Sequence, residues 1–367
     1  MNEENKDLIV TDEDTAIEDK NDGGLYPYDP AYENIEIGED PFSVYEYLRQ
    51  LDKGKILIQP DFQRNQVWDK KQKSKFIESI ILNFPLPPIY LNETKESTYI
   101  VIDGLQRSTA LKQFYKGEYA LTGIEALPKY NGRKFKDLPE VLQSKFEDKK
   151  LTVFILKPST PMVVIYDLFN RINTGGTQLN RQEVRNCIFI GKSTQLLKEL
   201  SEQQYFKQAI NSGVSDKRMK DREVILRYLA FRWFDYENLY SGDMSDFVES
   251  AMKKINKKSE EDIQIIKDDF HKVMKLSFSI WKYENFRMPT DKTKGTINIA
   301  IFETVCNYLS NTSESFVATN KSKIKNNYRS LIRNTTYYEA VTKSTGNKAK
   351  VLDRFRLANE ILNQNTL

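Results

Sequence analysis

The sequence predicts an α+β protein: a small α/β domain followed by a mostly helical C-terminal domain. Three observations carry that prediction. Up to about residue 180, short runs rich in Tyr, Ile and Val alternate with stretches of helical periodicity, whereas beyond it helices follow one another almost without interruption. Three segments of the first part each combine Asp, Gln, Asn or Arg with a turn where two elements meet. The charge is divided as well. Residues 1–40 hold fourteen Asp or Glu against two Lys, a net of −12, and residues 41–367 hold 53 basic against 38 acidic side chains, a net of +15. The organisation expected is an acidic, disordered tail over 1–40, an α/β domain over 41–185 and a helical domain over 186–367.

Ordered structure is expected to begin at "EDPFSVYEYLRQLDKG", where Asp40 caps a helix with Pro41 at its first position. Val44, Tyr47, Leu48 and Leu51 recur there at helical spacing, and Gly54 closes the helix. "KILIQP" reads as a short strand. In "VWDKKQKSKFIESIILNFP", Asp69 caps a helix and Gln72, three residues on, reaches back to it. Phe76, Ile77, Ile80, Ile81 and Phe84 form the apolar face of that helix, and Pro85 ends it. "PPIYLNETKESTYIVIDG" reads as two strands about a polar turn, followed by a helix with Leu111 and Phe114 toward a core. "LPKYNGRKFKDLPEVLQSKFEDKK" is a variable segment, "LTVFILK" a strand, and "MVVIYDLFNRIN" a helix up to a Gly-Gly break. Helices then run from 181–190 through "STQLLKELSEQQYFKQAI", "DREVILRYLAFRWFDY" and "DMSDFVESAMKKINK" to "KVLDRFRLANEILNQ".

At 367 residues, 39% of them hydrophobic, the chain has room for two folded domains. It contains no apolar run of the roughly 18 residues a membrane span needs, and its acidic first twenty residues include no stretch of signal-peptide length. A cytoplasmic protein without a membrane partner is the expectation. Cys187 and Cys306 lie far apart, which excludes a disulfide framework or a zinc ribbon. His271 is the sole histidine, so every mechanism that needs two is closed, the HExxH metalloprotease motif among them. His271 itself is given no role.

The three polar segments are "PDFQRNQVWD" at 60–69, "VIDGLQRSTAL" at 101–111 and "LFNRINTGGTQLNRQEVRN" at 168–186. Phosphate binding suits them. Gly104 lets the backbone turn sharply after a strand and leaves the amides of the next helix free to point outward. Those amides and the helix dipole attract an anion. Arg107 in the first turn can grip two phosphate oxygens at once, as a lysine could not. Gln106 can orient a water or a base, and Asp103 can hold a magnesium ion or activate water. "NTGGT", with Asn173, Thr174 and Gly175, offers a second nest of backbone donors. Taken singly, each segment is better accounted for by a helix cap, a surface ion pair and a turn.

Together the segments resemble the N-terminal domain family of GmrSD-type restriction endonucleases, which is related to the ParB/sulfiredoxin fold. That family is marked by PxFQR, DGQQR and FxRxNxxGxxL segments. Here they read Pro60-Asp61-Phe62-Gln63-Arg64, Asp103-Gly104-Leu105-Gln106-Arg107 and Phe169 to Leu179, in that order. The resemblance covers roughly residues 40–190, and the helical region beyond is similar to that of stand-alone members. It implies a ParB/sulfiredoxin-like domain that binds, and in studied relatives hydrolyses, nucleoside triphosphates such as GTP or ATP in bacterial defence against phage. It further implies that Asp103, Gln106 and Arg107 handle the nucleotide, with Gln63, Arg64 and Arg171 converging on them. Two departures stand out. The first glutamine of DGQQR is Leu105, and an HNH nuclease site, which needs more than one histidine, is not expected.

Three functions follow from these residues. The first is a nucleoside-triphosphate-binding or -hydrolysing component of a restriction system, with magnesium as cofactor and any nuclease supplied by a separate protein. The second is a DNA-binding module that processes no nucleotide, to which the basic body and the cluster of Arg218, Lys220 and Arg222 would contribute. The third is a ParB-like nuclease using Glu147 and Lys149 of "FEDKKLTVF".

Overall fold

The computed structural model describes residues 37–58, 68–94, 97–160, 164–166, 168, 171, 180–288 and 297–364. Its contacts divide the chain between Ile188 and Phe189. The first unit is built on a mixed five-stranded sheet of β1 (Ile37–Ser43), β2 (Ile56–Leu57), β3 (Ile89–Glu93), β4 (Tyr99–Asp103) and β5 (Lys150–Leu156), in the order β1-β5-β3-β4-β2. β1 and β5 run antiparallel, β5 and β3 parallel, β3 and β4 antiparallel, and β4 and β2 parallel. Its helices are α1 (Val44–Asp52), α2 (Lys70–Ile81), α3 (Leu105–Tyr115), α4 (Glu140–Asp148) and α5 (Arg181–Ile188). Cutting the chain at residue 185 would run through α5.

The first helix starts later than the sequence indicates. Residues 37–40, assigned to the tail, are strand, and Asp40 and Pro41 pair in β1 with Val153 and Thr152 rather than opening a helix. β1 is an edge strand, where a proline that cannot donate is tolerated. The cap of α1 is Ser43, whose Oγ accepts from the Glu46 amide at 3.1 Å. Val44, Tyr47, Leu48 and Leu51 are buried as their spacing requires.

α2 carries the expected reciprocal cap. The Gln72 amide donates to Asp69 Oδ1 at 2.7 Å, and the Asp69 amide to Gln72 Oε1 at 2.9 Å. Phe84 does not extend the apolar face, because the helix ends at Ile81, Asn83 adopts a left-handed φ of 59°, and Phe84 is left exposed. Leu111 and Phe114 of α3 are fully buried. The Phe114 ring lies 5.7 Å from that of Phe146, which belongs to α4 inside the segment read as variable. Phe146 is the sole buried side chain of α4, too sparse an apolar signal to announce a helix.

The second unit is helical: α6 (Lys192–Glu202), α7 (Gln204–Ile210), α8 (Lys220–Trp233), α9 (Tyr236–Leu239), α10 (Met244–Ile255), α11 (Glu260–Trp281), α12 (Ile299–Ser310), α13 (Glu314–Arg333), α14 (Thr335–Thr342) and α15 (Lys348–Leu362). Asp243, Ser259, Asn298 and Ser313 each cap the helix that follows by accepting an amide hydrogen. α8 and α12 are buried over most of their length and pack on each other. Between them, Arg227 Nε donates to Glu303 Oε1 at 2.5 Å, and Arg354 of α15 donates to Glu303 Oε2 at 2.6 Å, with Glu303 and Arg354 both at 0% exposure. Among the described residues no helix is long and apolar enough to cross a membrane.

Candidate functional site

The site begins where β4 ends. Asp103 closes the strand, Gly104 turns the chain with φ 102° and ψ 13°, and α3 starts at Leu105. A side chain at Gly104 would be strained by that φ and would meet Ile89 Cγ1 at 3.0 Å. Gly104, as the N-cap residue, has no side chain to cap the first-turn amides of α3. The turn is braced from below. Ser108 Oγ donates to the Gly104 carbonyl at 2.8 Å and lies 2.7 Å from the Tyr47 hydroxyl, all within the core. Burial pushes the Tyr47 phenol well above its ordinary value, so it stays a neutral partner.

Arg107 does not project into solvent. It is buried, pairs through Nη2 with Asp103 Oδ2, and donates through Nη1 to the carbonyls of Pro87 and, at 2.8 Å, Pro88. The guanidinium thereby fastens the strand end, the helix start and the proline segment before β3. It also neutralises the one carboxylate at the turn. Asp103 is not a helix cap.

Gln106 faces a different neighbour. Its Oε1 accepts from the Trp68 amide at 3.1 Å, and the Trp68 ring packs edge-on against Phe76 at 5.5 Å. The end of "PDFQRNQVW" is thus tied to the turn at 103–107, with Gln63 and Arg64 five and four residues before Trp68 in sequence. Gln63, Arg64, Asn173, Thr174 and Gly175 lie outside the described residues, and Arg171 is exposed. Leu105, which stands where the family motif has glutamine, is 6% exposed and belongs to the core.

The structure adds residues that the motifs passed over. α5 packs against β4, and Gln182, Arg185 and Asn186 on it are buried. Among the described residues neither amide atom of Gln182 has a hydrogen-bond partner. Asn180 and Glu183 start the helix with a reciprocal pair of 2.8 Å bonds. The sequence holds a signal for the first three: polar residues at i, i+3 and i+4 of one helix, the spacing that ordinarily carries apolar core.

Two other expectations change. Of the cluster of Arg218, Lys220 and Arg222, the last two are buried, with Lys220 Nζ donating to Glu223 Oε2 at 2.9 Å, and Arg218 is half-buried, so the three do not form an exposed basic face. Glu147 and Lys149 do not form a shared site. Glu147 lies beside the Tyr115 hydroxyl, whereas Lys149 Nζ donates to Asn83 Oδ1 at 2.7 Å and to the Phe84 carbonyl at 2.8 Å. Among the described residues no group of three or more His, Cys, Asp or Glu side chains is placed to hold a metal ion.

No curated protein and no solved structure matches the chain. A family model does, over residues 44–190, which takes in α1 through α5, the turn at 103–107 and all three polar segments. Residues 44–190 match the family model of the GmrSD restriction endonuclease N-terminal domain.

Proposed function

We propose that this chain is the nucleoside-triphosphate-binding component of a prokaryotic restriction or anti-phage system, and that the phosphates bind at the turn 103–107. The observation that carries the reading is the uncapped start of α3 behind a left-handed glycine, inside a domain of the restriction family. The amide-bearing, positive end of a helix that begins at a glycine favours an anion there. The ion pair with Arg107 supports the same reading, because it cancels the charge by which Asp103 would otherwise repel phosphate. Gln106 ties Trp68, which follows Gln63 and Arg64 in the sequence, to the turn.

Magnesium fits this site in a limited sense. That ion is commonly held by one or two carboxylates together with substrate phosphates, and Asp103 is the carboxylate at the turn, paired to Arg107 through Oδ2. Asp103 would hold it alongside the phosphate oxygens, and the metal would supply charge neutralisation for phosphoryl transfer. A partner nuclease encoded separately completes the restriction function in this proposal.

The test is a thermal-shift panel of ATP, GTP, CTP and UTP with magnesium. A ligand at a hundredfold excess over its dissociation constant stabilises the folded state by about 2.7 kcal/mol, so at least one triphosphate should raise the melting temperature by several degrees. If a bound triphosphate is also hydrolysed, Asp103→Ala should remove turnover more completely than binding. A panel in which no triphosphate shifts the melting temperature rejects the assignment.

A further inference from the structure

Lys220 and Arg222 of the cluster expected to meet DNA are buried, yet residues 189–367 carry 30 basic against 22 acidic side chains, a net of +8. Most of that excess has one location. Residues 315–352 hold eight Lys or Arg and one acid, Glu339, a net of +7. At its centre is α13. Its buried face is Val317, Ile324, Tyr328, Leu331 and Ile332, packed toward α11 and α15. On the rest of the helix Lys321, Lys325, Arg329 and Arg333 follow one another at i, i+4, i+8 and i+12, with exposed Ser322, Asn326 and Ser330 between them.

A merely solvated helix face mixes signs, as α15 does where Arg356 pairs with Asp353 at 3.1 Å and Glu360 at 3.0 Å. α13 has no acid after Glu314 in its first turn, and like charges at i, i+4 destabilise a helix. Lys321 and Arg333 form no ion pair among the described residues. Lys325 meets Glu284 at 3.3 Å, an exposed carboxylate that is readily released to water. Lysines on the neighbouring helix are, by contrast, neutralised: Lys272 by Asp269 and Lys267 by Glu199.

We propose that the Lys321–Lys325–Arg329–Arg333 stripe of α13 is a docking surface for the phosphate backbone of duplex DNA. At 1.5 Å per residue the stripe is about 18 Å long, and at about 3.4 Å of axis per phosphate on one strand that length covers about five phosphates. Hydroxyl and amide side chains between cations are the groups that accompany Lys and Arg in backbone contacts. Such a surface positions DNA without reading its sequence. The choice of DNA as the polyanion rests on the restriction reading; the surface itself lies outside the matched domain.

The test is equilibrium binding of the full-length chain to a labelled duplex at several salt concentrations, without nucleotide. A variant with Lys321→Gln, Lys325→Gln, Arg329→Gln and Arg333→Gln is compared with one carrying Lys253→Gln, Lys254→Gln, Lys257→Gln and Lys258→Gln. Both lose four charges from the same unit. Each phosphate contact contributes about 0.9 to the slope of log affinity against log salt. The α13 variant should therefore lose about 3 to 4 from that slope and at least tenfold in affinity at low salt, with the control close to wild type. Arg329→Gln alone should lower the slope by about 0.9, which keeps the test open if the fourfold variant fails to fold. Equal losses in both variants, an unchanged slope, or no duplex binding by wild type overturns the proposal. So does tighter capture by phosphatidylserine vesicles than by duplex. Because no nucleotide is present, failure here leaves the triphosphate panel standing, and the converse holds.

Discussion

Arg107 offers the sharpest perturbation of the turn. Replacing it with methionine keeps an aliphatic stem and removes the charge together with the bonds to Asp103, Pro87 and Pro88. Two carbonyls lose a charged donor, at about 1.5–3 kcal/mol each. The ion pair is partly exposed, with side-chain exposures of 11% and 27%, so solvent screens it and its loss costs at most about 1 kcal/mol. The sum is about 3–7 kcal/mol. For a unit of this size each kcal/mol lowers the melting temperature by about 2–4 °C, so calorimetry of Arg107→Met should show a fall of at least about 6 °C. Asp103→Asn leaves the proline carbonyls bonded and retains an acceptor for Nη2, and should cost about 1 kcal/mol or less. An Arg107→Met protein that melts with wild type, or an Asp103→Asn protein as damaged as Arg107→Met, would refute the bracing role.

Three further outcomes are expected. Glu303→Gln leaves two buried guanidiniums without their carboxylate and should destabilise the helical unit by about 3–5 kcal/mol in urea melts; a loss under 1 kcal/mol would show that the triad is not strongly coupled. Burial raises the thiols of Cys187 and Cys306 well above their ordinary range, so at pH 8 neither should react with a thiol reagent until its own unit unfolds, and rapid native labelling of either would contradict its burial. The same shifts mean that the folded state keeps both protons while the unfolded thiols ionise near about 8.5, so this share of stability is full below that pH and declines as pH rises above it. Deleting residues 1–30, which hold ten acids and two lysines and stop short of β1, should tighten duplex binding at low salt and less so at high salt, since a tethered polyanion competes at high effective concentration; identical affinities at both salts would show that the segment masks nothing.

What the sequence made legible was local. The Asp69–Gln72 cap, the two strands around "NETKES" and the turn at Gly104 are each written in a few adjacent residues, and the structure has them. The misplaced start of α1 came from a local signal overridden by pairing: Asp-Pro reads as a helix opening until β5 takes it as an edge strand. Charge misled for the same reason. Lys220 and Arg222 look like a surface because lysine and arginine are rarely buried, and only the packed unit shows that α8 lies inside. At the site, residue types pointed to the turn, but the direction of Arg107 depends on Pro87 and Pro88, twenty and nineteen residues away. No spacing rule reaches that far.

The central claim is that the first-turn amides of α3 receive phosphate, and backbone chemical shifts read them directly. Protein labelled with ¹⁵N would be titrated with the triphosphate that most raises the melting temperature, in the presence of magnesium. The amides of Leu105, Gln106 and Arg107 should move together and saturate with the same affinity as the stabilisation, while those of α13 stay in place. Saturable binding that leaves these three amides unmoved would place the nucleotide elsewhere and contradict the account.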